Sequence, residues 1–218
     1  MVFKAPTKKV SDVQDYVKRM FGDESGVQIT DTDIIRWVNS AQQEIVSSNQ
    51  VLKASATKDT VADTFTYQLG ADITDVQAIN SIHVDGLKLS YLSFNDAEAL
   101  ILREDPSRTV RGRPEYWYEW AGILHLYPTP DKIYTLTVYY QKEPPLVTTG
   151  TDTLSLPDNY FNRIIEYVMT QAYELDENFG AAETKSSQFE SRLVSMSLDE
   201  EKANIDTYPR ITVRPEDL

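Results

Sequence analysis

The run from Arg113 to Tyr140 limits the possible folds more than any other part of the chain. It places three β-prone segments close together. In Glu115–Trp120, the residues Tyr116, Tyr118 and Trp120 share one side, and Glu115, Trp117 and Glu119 share the other. Ala121-Gly122 interrupts the alternation, and glycine accepts the positive φ of a tight hairpin turn. Ile123–Tyr127 follows as a second segment. Pro128-Thr129-Pro130-Asp131 is turn chemistry, with two fixed φ angles and an Asp able to bond its own backbone. In Ile133–Gln141, Tyr134, Leu136, Val138 and Tyr140 face one way; Ile133, Thr135, Thr137 and Tyr139 face the other. The simplest expectation is a three-stranded antiparallel meander. Large side chains on both faces imply that both are covered, by helices or by another subunit.

Around this run the chain alternates helical and strand patterns. Residues 1–9 are polar and basic and read as a loose arm. Val10, Val13, Val17 and Met20 or Phe21 recur at helical spacing, and the Gly22–Gly26 stretch ends that helix. Thr30–Ser48 is a second helix, with Thr30, Asp31 and Thr32 as N-cap residues and Ile34, Val38, Ala41 and Ile45 on its apolar face. Val51–Leu92 reads as β, with Phe65, Tyr67 and Leu69 in one short strand. A hairpin turns at Asp85-Gly86 between Val76–Val84 and Leu87–Tyr91. Ser93 with Asp96 resembles a capping box and opens a short helix through Leu102, which Asp105-Pro106 stops. Leu156-Pro157-Asp158 introduces a helix to about Glu177. Phe179-Gly180 breaks the chain, and Ala182 to about Leu198 is helical again, with Phe189, Leu193 and Met196 on a narrow stripe.

The tail changes character. Tyr208 precedes Pro209, and Ile211 and Val213 lie between Pro209 and Pro215, with Arg210 and Arg214 alternating around Thr212. Two prolines forbid a single helix there, and Ile211–Val213 suits addition to a sheet edge.

Composition narrows the chemistry. A chain of 218 residues with 41% hydrophobic and 25% charged residues is ordinary for a globular fold. No apolar run approaches the length of a bilayer span and the N-terminus lacks a signal-type apolar core, so no membrane partner is expected and synthesis is expected in the cytoplasm. The absence of Cys excludes thiolate catalysis and Cys-based zinc sites. A net charge of −13 argues against a free-standing DNA-binding protein, because affinity for DNA comes mainly from neutralised phosphates. His83 and His125 both fall in expected strands, without the spacing of a zinc site or a nucleophile elbow. Asp72 with Asp75, or Asp31 with Asp33, has the ligand type for a metal, but acids in turns and helix starts also serve as caps. Neither a metal nor a cofactor is expected. Arg103, Arg108, Arg111 and Arg113 bracket a loop ahead of the aromatic run. They read as a solvated loop, as a strip pairing with acids on a second subunit, or as phosphate contacts. The aromatic residues of 116–140 divide between core and interface; Trp117 is taken with the arginines as an interface residue.

Several pieces occur in a telling order: Gly112-Arg113-Pro114, then Ile123–Asp131, then Tyr134–Tyr140, then Pro144-Pro145, and Leu156-Pro157 opening a helix. This order resembles the head-to-tail adaptor (connector) proteins of tailed bacteriophages, over about Thr30 to Leu198. The resemblance implies a non-enzymatic, structural protein of the virion. Its copies would form a ring, of twelve subunits, beneath the portal. The ring would extend the DNA channel, dock tail, stopper or nozzle components, and pass genomic DNA without binding it specifically. It also implies that a C-terminal extension grips the portal, here Tyr208, Pro209, Arg210, Ile211, Thr212, Val213, Arg214 and Pro215. For about twelve copies the charge sums to roughly −156, an acidic lumen that repels DNA.

The expected fold is α+β: a bundle of three to four helices, from 10–50 and 154–198, with an antiparallel β subdomain and a short helix over 51–153. A flexible arm over 1–9 and a docking tail over 199–218 complete the chain. The alternative functions are a carbohydrate-binding module with an aromatic surface and a carboxylate-based glycan hydrolase.

Overall fold

The computed structural model describes residues 5–204, with the side chains of residues 71–72 and 197–204 left aside. The fold is mixed α+β, and the chain divides into two compact units. One is formed by residues 1–50 and 145–218, the other by residues 51–144.

The first unit is helical. Helix α1 (Val10–Phe21) buries Val10, Val13 and Val17. Its start is fastened by Lys9 N–H, which donates to Asp12 Oδ2 at 2.9 Å. Gly22 closes it in the left-handed region, where a Cβ would be strained, at φ 67°. Helix α2 (Asp31–Asn49) begins at Thr30, whose hydroxyl accepts from Asp33 N–H at 3.2 Å. Ile34, Val38, Ala41 and Ile45 are fully buried along it.

Residues 145–157, where the chain returns to this unit, are held through side chain-to-backbone bonds. Asn39 exchanges two bonds with Val147, both 2.9 Å, and Gln42 Oε1 accepts from Ser155 N–H at 2.7 Å. The loop 148–152 then receives the start of α1. Ser11 N–H donates to the Gly150 carbonyl at 2.8 Å and Val10 N–H to the Asp152 carbonyl at 3.0 Å. Residues 7–9 are tied down too: Thr7 donates to Asp158 through its N–H and its hydroxyl, and Lys9 bridges to Thr153.

After one 3-10 turn at Asp158–Tyr160, helix α5 (Phe161–Leu175) buries Ile164, Val168, Met169 and Ala172. The break expected at Phe179-Gly180 falls earlier. Asp176–Asn178 makes the turn, and Phe179 already opens α6 (Phe179–Asn204). Leu175 is exposed at the end of α5. Helix α5 touches α1, α2 and α6, and α2 touches α1 and α6. Glu166 is buried between α5 and α6, where it accepts from Arg163 at 2.5 Å and from Arg192. Two guanidinium donors are what make an ionised carboxylate tolerable at that depth.

The second unit is the β part. Its first sheet runs β1 (Lys53–Asp59), β10 (Thr135–Lys142), β3 (Val76–Val84) and β4 (Leu87–Lys88), all antiparallel. Its second runs β2 (Thr66–Gln68), β8 (Ile123–Tyr127), β7 (Tyr116–Trp120) and β5 (Ser90–Tyr91). A one-turn helix α3 (Leu69–Asp72) follows β2, and α4 (Phe94–Glu104) starts at the Ser93 cap. The turns at Asp85-Gly86 and Ala121-Gly122 both have two successive positive φ values, as a two-residue hairpin with right-handed strand twist requires.

The meander expectation is corrected here. β7 and β8 form the hairpin, but the third segment leaves it, and β10 pairs with β1 and β3 instead. Pro128 and Pro130 have no N–H with which to continue a ladder, and Thr129–Pro130 (β9) runs parallel to Arg111–Gly112 (β6). The unit is therefore not wholly antiparallel, since β5 with β7 and β6 with β9 are parallel pairs. Leu136, Val138 and Tyr140 of β10 enter one core with Ile82, Val84, Leu124 and Leu126.

Two measurements probe these units separately. Leu136→Ala, at a fully buried position, is expected to destabilise the β unit by about 3 kcal/mol in denaturant titration. In the helical unit, Asp152 is held down to about 2 by the amides of Thr148 and Thr149 and by the Thr149 hydroxyl. Its contribution is fully present above the unfolded carboxylate value, near 4, and is lost as pH falls through about 2. Asp152→Asn should flatten that acid limb in melts recorded between pH 5 and pH 2.

Candidate assembly surface

The arginine-bearing loop is built outward from one buried carboxylate. Helix α4 ends at Asp105, which is 3% exposed and accepts from Thr109 N–H, the Thr109 hydroxyl and Val110 N–H at 2.7–3.0 Å. Burial pushes its carboxyl up, and the Thr109 and Val110 amides more than reverse this, leaving it below the ordinary range. The loop then turns at Arg108, with φ 49°.

Arg108 points back into the unit. Its Nη2 donates to Tyr118 Oη at 2.8 Å and to Glu98 Oε1 at 3.3 Å, and the guanidinium lies 4.7 Å from the Phe65 ring centroid. Tyr118 in turn stacks on His125, with centroids 4.6 Å apart and planes within 7°. Burial, then Arg108, lowers the His125 pKa, with Glu98 opposing. Arg111 bonds Asp63 through Nε at 2.6 Å and the Arg108 carbonyl at 2.7 Å. Arg113 donates to the Val84 carbonyl at 2.8 Å, beside the β3–β4 turn. Arg103 stands apart at 73% exposure, against its neighbour Glu104. The structure thus joins Arg108 and Arg111 in one network, sends Arg113 to the first sheet and leaves Arg103 in solvent. Trp117 is 5% exposed and packs on Tyr91, with centroids at 4.8 Å.

The apolar surface near the loop lies on other residues. Leu102, Val110 and Trp120 are exposed, and Trp120 stacks on Phe94 with centroids 4.3 Å apart. Trp120 shares its strand face with Tyr116 and Tyr118, and sequence alternation alone makes it look like core. Its place beside the Ala121-Gly122 turn was the signal for exposure. In the helical unit, Leu175 and Phe179 flank the α5–α6 turn in solvent. Such side chains are the material of interfaces.

Of the acids weighed as metal ligands, Asp31, Asp33 and Asp75 have other work, and the side chain of Asp72 lies outside those described. Asp33 accepts from the Thr30 hydroxyl and Arg36, Asp31 pairs with Lys18 at 2.7 Å, and Asp75 accepts from Lys142 and the Tyr140 hydroxyl. The Lys142 bond is the main cause of a lowered Asp75 pKa. Among the described residues, no group of three or more His, Asp or Glu side chains is gathered to hold a metal ion. No helix among them is long and apolar enough to cross a membrane. The segment Tyr208–Pro215 lies outside the described residues.

The loop network makes two predictions. Arg108→Ala should cost about 1–2 kcal/mol of stability, through its charged hydrogen bonds, and Arg103→Ala less than about 0.5. For His125, the unfolded chain takes up a proton near pH 6.5 while the folded site resists it. Stability should therefore fall as pH drops below about 6.5, and His125→Phe should remove that slope in pH-dependent thermal melts.

Compared with known proteins, the chain matches the family model described as SU10 adaptor protein over residues 8–214. No curated protein matches it.

Proposed function

Because this chain belongs to the SU10 adaptor protein family, a family of phage head-to-tail adaptors, we propose that its copies form a ring beneath the portal vertex. The observation that carries this reading is the extent of the match, residues 8–214, which takes in both units and most of the tail. A structural adaptor role in the virion comes with the family. The finer features are our reading. The ring, of twelve subunits, extends the DNA channel on the head side and offers a seat to tail components, stoppers or nozzles on the other. The helical hairpin and the C-terminal tail stand against the portal, and the β unit meets the tail components. DNA passes without a specific grip, since copies of charge −13 repel it.

The strip facing a neighbouring copy is the loop Arg103–Arg113 over Trp117. Arg103 reaches out from it, while Arg108, Arg111 and Arg113 hold its shape from within. Exposed Leu102 on the last turn of α4 and exposed Val110 on the loop favour contact over solvation. The portal is gripped by Tyr208–Pro215, where two prolines reduce the entropy lost on docking.

The test mixes the chain with portal rings and reads mass by native mass spectrometry. The expected result is one stoichiometric ring of copies per portal, lost for a chain ending at Asn204. A protein that stays monomeric beside portal rings overturns the assembly, and a truncated chain that binds as well as the full one overturns the role of the tail.

A further inference from the structure

The first β sheet treats its two edges differently. On β3, which carries only the two-residue β4 beside Val84 and His83, the ladder with β10 is bulged at Asn80 and again at Gln77. Bulges twist an edge away and blunt it against pairing. The second sheet ends in strands of three and two residues, which are too short to template anything. β1 has none of these devices. It runs seven residues, Lys53–Asp59, in unbroken register with β10 and without proline.

Its outward groups can be counted off. Thr60 N–H bonds the Tyr134 carbonyl and Lys142 N–H bonds the Leu52 carbonyl, both at 2.8 Å, so the even-numbered residues face β10. Lys53, Ser55, Thr57 and Asp59 therefore turn their N–H and C=O outward, and all of them are exposed. Their side chains lie on the solvent face. On the other face, half-buried Ala54 and Ala56 sit against the core and cover it only thinly.

We propose that this edge accepts the C-terminal run Arg210–Arg214 of a second copy as an added strand. α6 ends at Asn204, and the chain continues through residues 205–218. Pro209 and Pro215 bound a run that fits within the β1 edge, and Ile211, Thr212 and Val213 are all β-branched. The faces match as well. With Thr212 opposite Thr57, Ile211 and Val213 fall beside Ala56 and the half-buried stem of Lys58, on the core side. Arg210, Thr212 and Arg214 fall beside the exposed row, with one arginine near Asp59. The contact joins two different patches, tail to edge, and is therefore heterologous. It rests on the reading of assembly above. Portal and edge use the same run, so the edge holds it in copies that have not met a portal.

The chain has no cysteine, so an engineered pair reports cleanly. Full-length Thr57→Cys and Thr212→Cys chains are mixed without portal and oxidised mildly. A crosslinked heterodimer should form at least about tenfold above a mixture of Thr57→Cys with Glu24→Cys. Val213→Asp in the Thr212→Cys chain should abolish it. Hydrogen exchange at Ser55 and Thr57 should be slower in the full chain than in one ending at Asn204, by about tenfold. Background crosslinking with unchanged exchange overturns the proposal. Thr57→Cys homodimers as the main product overturn it in favour of edge-to-edge pairing. Crosslinking within a doubly substituted chain in place of the heterodimer overturns it in favour of the chain's own tail. Each of these failures leaves binding to portal rings intact, so it is separable from failure of the adaptor reading.

Discussion

The β unit depends on the two main-chain ladders that hold β10 between β1 and β3. A strand bonded on both sides can place every second side chain in the core. Leu136, Val138 and Tyr140 do so, at 6% exposure or less. That single placement decides much else. It takes β10 out of the hairpin that precedes it, draws Lys53–Asp59 into a sheet despite its polar sequence, and leaves the free edges where they are. The helical unit has a counterpart in side chains that bond backbone: Asn39, Gln42 and Asp152 fix the returning chain 145–157 against α2 and the start of α1.

Elements with local determinants were legible from sequence. α1 has its apolar spacing and its glycine, α2 and α4 their hydroxyl caps, and both two-residue turns their glycines. What escaped was set by distant partners. Val51–Leu92 was legible as β, but KASATKD offers only Ala54 and Ala56 as alternating apolar residues, and nothing local in it announces its partner β10. The third segment of the aromatic run was legible as a strand but not as a neighbour of β3, because pairing is decided by which edge is open and not by sequence order. The start of α6 was misplaced by a local signal, Phe179-Gly180, that the α5–α6 packing overrides.

The candidate surface shows the same division. Four arginines close together in an acidic chain are easily noticed, but their environments differ completely. One stands in water, one lies on a ring and bonds a tyrosine, one pairs with Asp63, and one caps a carbonyl. Charge pattern locates such a loop; only packing says which of its residues are free to meet a partner. Trp117 and Trp120, three residues apart, make the point for aromatics, with one beneath the sheet and the other open at its corner.

The β unit begins and ends on adjacent strands: Lys53 lies opposite Gln141, and Lys142 N–H bonds the Leu52 carbonyl. A segment whose two ends are stitched to each other behaves as a cassette. It closes its own boundary, so loops and faces within it can lengthen, shrink or be exchanged wholesale while Gln50 and Pro145 still receive the chain at a fixed spacing. A lineage meeting new mating components could revise this insert freely and leave the helices that carry it untouched.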